Sequence, residues 1–130
     1  MLTNAPFYAT IPTNDLQRAR DFYEHVLGVT PERELERETV YRAGASFFDV
    51  YLTEAAGSAR HTLGIFIVEN IEAEVAELRN RGVSFEEYDL PGLKTVNGVV
   101  QLGPDKVAWF KDPDGNILSL TQEGVSDNAG

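Results

Sequence analysis

Apolar residues recur along this chain at two spacings, and the points where one spacing gives way to the other divide it into two similar halves. Residues 7–13 alternate, with Tyr8, Thr10 and Pro12 on one face and Phe7, Ala9 and Ile11 on the other, which is the period of a strand. From Leu16 the period lengthens. Leu16, Ala19, Phe22, Tyr23, Val26 and Leu27 fall at three- and four-residue steps, the stripe of an amphipathic helix over 16–27. Asn14 or Asp15 stands at its N-cap, and Gly28 stands where a left-handed C-terminal residue is wanted. The charged stretch 31–38 fits neither period. Residues 39–42 and 46–53, separated by Ala43-Gly44-Ala45, are rich in aromatic and β-branched side chains and predict a hairpin. The small and polar residues 55–60 read as a linker.

The order then returns. Residues 63–68 predict a strand, Asn70 a cap, and Ile71, Val75 and Leu78 with Ala73 and Ala76 a second amphipathic helix ending at Gly82. Residues 83–88 are a further strand candidate. Residues 107–111 and 116–122 predict a hairpin around Asp112-Pro113-Asp114-Gly115, where Pro fixes one dihedral and Gly permits a positive one, and this turn explains its own carboxylates locally. The stretch 90–104 holds Pro91, Gly92, Gly98, Gly103 and Pro104 without periodicity. It reads as a lid or a mobile loop, with Lys94 and the nearby Trp109 as possible ligand contacts. Leu16 through Val29 lies over Ile71 through Val83, and Gly44 through Tyr51 over Gly115 through Thr121. One supersecondary unit is used twice, because neither half alone buries its sheet face.

With 130 residues, 42% of them apolar, the chain predicts one domain over 1–122, with module one at about 6–54, module two at about 62–122, and a frayed tail over 123–130. No apolar run approaches the roughly 18 residues of a membrane span, and the first six residues lack the pattern of a signal peptide, so the expected location is cytoplasmic with no membrane partner. The absence of cysteine removes disulfides, thiolate nucleophiles and Cys-based metal motifs. A formal charge of −10 repels phosphate backbones, which argues against nucleic acid. Neither histidine sits near a plausible serine nucleophile, and no Gly-rich loop opens a helix.

Asn14-Asp15-Leu16 leading to Asp21-Phe22-Tyr23 and Leu27-Gly28, joined later by Trp109-Phe110-Lys111-Asp112-Pro113-Asp114-Gly115-Asn116, resembles the vicinal oxygen chelate superfamily over roughly residues 6–122. That superfamily includes glyoxalase I, extradiol dioxygenases, fosfomycin-resistance transferases and bleomycin-resistance proteins. The resemblance implies an α+β fold of two βαβββ modules whose curled mixed sheets enclose a cavity, often completed by a homodimer partner.

It also implies where a metal would be held: a His in the first strand, a His opening the second module, and a Glu after the final turn. At those points this chain has Tyr8, Leu63 and Ser119, while Asp49 stands at the first-module equivalent of Ser119. One carboxylate supplies too few donors for a divalent ion, so no metal cofactor is expected. The alternative is a shifted divalent-metal set around His61 and Asp49, because His61 lies two residues before Leu63 and keeps its strand parity. His25, late in the first helix, reads as a surface cation complementing the helix dipole.

The parity set by Tyr8 gives an inner wall of Tyr8, Thr10, Asp49, Tyr51, Leu63, Ile65, Ser119 and Thr121, with Trp109 or Phe110 also able to face it. Such a hydroxyl-bearing, aromatic lining suits a small organic ligand. A buried Asp49 would have a raised pKa, which makes it the candidate acid or base, with Tyr8 beside it. The expectation is therefore a metal-free protein that binds a small molecule. The alternatives are an enzyme (a metal-dependent lyase, isomerase or dioxygenase, or a metal-independent acid–base catalyst) and a module whose cavity its own side chains fill.

Overall fold

The computed structural model describes residues 1–124, so residues 125–130 of the expected tail lie outside the described residues. The chain divides into two compact units, Met1–Ser58 with Pro113–Gly115, and Ala59–Asp112 with the residues from Asn116 onward. Each has one four-stranded mixed sheet backed by a helix, in the α+β, βαβββ order expected.

The first unit runs β1 (Ala9–Thr13), α1 (Leu16–Arg20), β2 (Thr30–Glu34), β3 (Glu38–Ala43) and β4 (Ser46–Leu52). The sheet order is β1-β4-β3-β2, with β1 parallel to β4 and the other pairs antiparallel. β1 begins at Ala9 rather than Phe7, and the Phe7 side chain is exposed. The ambiguous segment 31–38 supplies β2, whose five residues are all exposed. As an edge strand its charged side chains discourage further pairing, and so it shows no apolar period.

Asp15, not Asn14, caps α1, accepting the Arg18 N–H at 3.1 Å. The single α-helix expected over 16–27 widens after Arg20 into a π-helical segment, Asp21–Val26, in which the Leu27 N–H reaches back to the Phe22 carbonyl at 2.9 Å. The wider winding accommodates two adjacent large rings. Tyr23 is fully buried, stacked on Tyr41 at 5.8 Å between centroids and tilted against Phe48 at 5.7 Å, while Phe22 meets Tyr23 edge-on at 5.4 Å. With Ile11, Ala19 and Val50 these rings form the core on the helix side of the sheet. The buried Tyr41 hydroxyl donates to Glu24 Oε2 at 2.8 Å, and burial together with that carboxylate pushes its pKa well above the ordinary phenol range.

Asp114 also belongs to this unit. Its carboxylate accepts from Thr13 Oγ1 at 2.6 Å, the Asn14 N–H at 3.0 Å and Arg18 Nη2 at 2.8 Å, and its side chain is 1% exposed. The expectation that the Asp-Pro-Asp-Gly turn satisfies its own carboxylates therefore fails for Asp114. It holds for Asp112, which accepts the Asn116 N–H and Nδ2, both at 2.9 Å.

The second unit runs β5 (Thr62–Ile67), α2 (Ile71–Asn80), β6 (Asp89–Leu90), β7 (Leu93–Lys94), β8 (Val100–Leu102), β9 (Asp105–Lys111) and β10 (Ile117–Gln122). Its main sheet, β5-β10-β9-β8, repeats the first unit's order with β6 and β7 as an added hairpin. Asn70 caps α2 through the Ala73 N–H, and Ile71, Val75 and Leu78 are buried on the side of Ala108, Phe110, Leu118 and Leu120. The strand expected over 83–88 is not one. Phe85 makes an isolated bridge to Phe110, and the Glu86 N–H donates to the Trp109 carbonyl at 2.8 Å, because β8 already pairs with the first part of β9 and leaves only its end free.

Residues 90–104 are likewise not irregular. β6 and β7 turn at Pro91-Gly92, and β8 and β9 turn at Gly103-Pro104. Between them Val96 and Val99 exchange two backbone hydrogen bonds, at 2.8 and 3.1 Å, across Asn97-Gly98. Asn97 has φ 54° and Gly98 φ 82°, the two left-handed residues that a tight hairpin turn requires. Among the described residues no helix is long and apolar enough to cross a membrane.

Candidate functional site

Each sheet has a helix-covered face and an opposite face, and the register fixes which side chains share the latter. In the first unit Thr10 lies opposite Asp49 and Pro12 opposite Tyr51, while on the other side of β4 Val40 lies opposite Asp49 and Glu38 opposite Tyr51. Tyr8 joins this face through its ring, 5.6 Å from that of Phe47. Tyr8, Thr10, Asp49 and Tyr51 are therefore brought together, though Tyr8 and Thr10 are exposed.

Asp49 is 8% exposed, and its Oδ1 has no hydrogen-bond partner among the described residues. Burial, and then the neighbouring Glu38 carboxyl through hydrogen bonding and charge, push its pKa up to about 6. Glu38 was not among the expected residues. A signal for it existed: counting back from the Gly44-Ala45 turn pairs Ala43 with Ser46 and sets Glu38 two residues beyond the partner of Asp49, on the same face.

In the second unit Ser119 lies between Trp109 and Ile65, and Thr121 between Val107 and Ile67. Ser119 and Thr121 are buried, whereas Ile65 and Ile67 are each 60% exposed. Trp109 meets Tyr88 edge-on at 5.5 Å, while Phe110 is buried on the helix side against Phe85, the alternation expected of neighbours in a strand. Leu63 is the unpaired residue where the β5–β10 register shifts, because Ile117 pairs with Thr62 and Leu118 with Gly64. Lys94 is exposed on β7.

These residues do not fit a divalent metal. Tyr8, Leu63 and Ser119 offer no ordinary ligand for one, and His61, exposed, places Nδ1 3.2 Å from the Thr62 carbonyl oxygen. Among the described residues no group of three or more His, Cys, Asp or Glu could hold a metal ion.

A hollow of about 530 Å³ lies elsewhere, on the helix side of the second unit, between α2 and residues 96–106. None of the expected site residues lines it. Its second wall lies in 90–104, which shows no side-chain period, and the one local signal there is Asn97-Gly98, a hairpin turn that pairs Val96 with Val99.

Residues 6–120 match the Glyoxalase/Bleomycin resistance protein/Dioxygenase superfamily, and the chain belongs to that family. Among solved structures it is similar to TnmS3, an antibiotic binding protein from Streptomyces sp. CB03234, with a TM-score of 0.71 at 22% identity over 95% of this chain and 99% of that one. It is also similar to a glyoxalase family protein from Enterococcus faecalis, with a TM-score of 0.70 at 24% identity over 94% and 100% of the two chains. A glyoxalase/bleomycin resistance protein/dioxygenase from Alicyclobacillus acidocaldarius gives 0.69 at 19% over 96% and 95%. At these identities the likeness is one of fold. No curated protein matches the chain.

Proposed function

We propose that this protein binds a small organic molecule without a metal, as a cytoplasmic homodimer. The candidate binding residues lie on the face of each sheet opposite its helix: Tyr8, Thr10, Asp49 and Tyr51 in the first unit, and, taken separately, Leu63, Ile65, Trp109, Ser119 and Thr121 in the second. One observation carries the reading: hydroxyl, aromatic and aliphatic groups occupy the positions where a metal-dependent relative would hold its ion. Rings and aliphatic side chains can bury an organic ligand, and a few hydroxyls and one carboxyl can orient it. The antibiotic-binding description of TnmS3 is consistent with such a role. The exposed Ile65 and Ile67 on edge strand β5 favour a homodimer, which sedimentation equilibrium tests.

The single tryptophan, Trp109, supplies the direct assay. Titration of a small-molecule library should change its fluorescence for at least one compound, and elemental analysis of the purified protein should find no stoichiometric metal. Stoichiometric nickel, zinc, iron or manganese would overturn the reading, and so would a library that leaves Trp109 unaffected.

A second reading rests on Asp49. A buried carboxyl with a pKa of about 6 is poised to exchange protons near neutrality, with Tyr8 on the same face, as a metal-independent acid–base catalyst would need. Turnover of a bound compound that Asp49→Asn abolishes, without loss of binding, would favour the enzyme over the binder.

A further inference from the structure

The hollow beside α2 is a built feature with chemistry of its own. One wall is the helix face Glu72, Val75, Ala76 and Arg79, spaced i, i+3, i+4 and i+7, and the other includes Val96 and Val99 of the Asn-Gly hairpin. Its two ends differ. Lys106 Nζ sits 2.8 Å from Glu72 Oε1, a close pair that pulls the Glu72 pKa below the usual carboxylate range. Arg79, about two turns further along the helix, is bound more loosely. Its guanidinium stands 3.7 Å from Glu87 Oε1 and 5.6 Å from the centre of the Phe85 ring, its side chain is 40% exposed, and it has no hydrogen-bond partner among the described residues.

We propose that this groove binds a small amphiphilic carboxylate, its apolar body between α2 and the hairpin and its carboxylate on the Arg79 guanidinium. The proposal is independent of the ligand site on the open sheet faces, since no residue is shared. Three observations converge on that class. The planar fork of Arg79 makes no hydrogen bond among the described residues, with Glu87 no nearer than 3.7 Å, and a carboxylate matches that fork with two parallel hydrogen bonds where a lone halide could not. Arg79 and Lys106 in the lining are balanced by Glu72 and by Glu87 beside Arg79, so in a chain whose formal charge is −10 the groove is near neutral and repels an anion less than the molecule as a whole does. Val75, Ala76, Val96 and Val99 give the body of the ligand aliphatic surface to cover, and Val96 stands 66% exposed without it. The volume, about 530 Å³, lies within the range of small-molecule sites.

The test titrates sodium octanoate, with octan-1-ol as the uncharged control, into the full chain labelled with nitrogen-15, following backbone amide shifts. Octanoate should shift the amides of residues 75–79 and 96–99 and bind at least about tenfold tighter than the alcohol, the least expected of a charge-assisted hydrogen bond. Arg79→Gln should bring octanoate down to the level of the alcohol, with Arg79→Lys in between. If Arg79→Gln does not fold, Val99→Glu serves the same end, because a carboxylate on the opposite wall should abolish octanoate binding. Equal binding of acid and alcohol, shifts that map away from the groove, or undiminished affinity in whichever variant folds would overturn the proposal. A Trp109 response to other compounds is scored separately and bears only on the open-face site.

Discussion

Replacing Asp49 by Asn should stabilise this protein at neutral pH, and by an amount that depends on pH in one direction only. The carboxyl titrates near 3.8 when the chain is unfolded and at about 6 in the folded unit, because burial and Glu38 both disfavour its charge. Between those values the folded state keeps a proton that the unfolded state has lost. Stability therefore falls as pH rises through roughly 4 to 6, and the loss is complete above the folded pKa. At 1.36 kcal/mol per pH unit the difference amounts to at most about 3 kcal/mol at pH 7. Asn keeps the side chain's volume, removes the titration and can donate to Glu38. Urea unfolding of both proteins at pH 4.5, 6 and 7.5 reads out the Asp49–Glu38 pair, since the remaining carboxylates cancel in the comparison. The variant should gain about 1 kcal/mol at pH 4.5 and nearly all of the roughly 3 kcal/mol at pH 7.5. Parallel stability curves, or a variant less stable at pH 7.5 than the parent, would refute the claim that Asp49 is buried beside a second carboxyl.

Asp114→Ala should cost about 2–3 kcal/mol by urea midpoint, because it leaves Thr13 and the Asn14 N–H without their acceptor and Arg18 without its ion pair. Gly57→Ala should lower the melting temperature through a loss of about 1–3 kcal/mol, since a Cβ there meets the Asp114 carbonyl oxygen and the backbone is left-handed, with φ 79°. Asn97→Ala should destabilise by about 1–2 kcal/mol, whereas Asn97→Gly should be neutral or slightly stabilising, because only the turn's left-handed φ is at stake; thermal unfolding of the pair checks this.

Where a side-chain period ran long enough, the fold was legible. α2, both aromatic hairpins and the duplication followed from apolar spacing and caps, while the βαβββ order and family membership followed from the resemblance carried by the motifs flanking them. Elements only two or three residues long escaped, because β6, β7 and β8 are too short to show alternation, and only their Pro-Gly, Asn-Gly and Gly-Pro turns announced them. β2 was hidden by its charge, a property of an edge strand rather than of a loop. For the candidate site, alternation puts Tyr8, Thr10, Asp49 and Tyr51 on one sheet face and Ile65, Ser119 and Thr121 on one face of the other sheet, as the strand register does. It could not give the burial of Asp49, which depends on packing from outside its own strand, nor Glu38, which reaches that face only through pairing across the hairpin. The groove beside Arg79 joins residues up to 34 positions apart, Glu72 to Lys106, and no local pattern links them.

The hydrogen bond from Thr13 to Asp114 spans 101 positions. On the ribosome, a nascent chain that has released its first sheet and helix still lacks the Asp114 carboxylate, 101 positions beyond Thr13, to which Thr13, the Asn14 amide and Arg18 donate. The first unit is thus completed late, by three residues that follow most of the second, and a fragment ending near Ser58 would be born without its clasp.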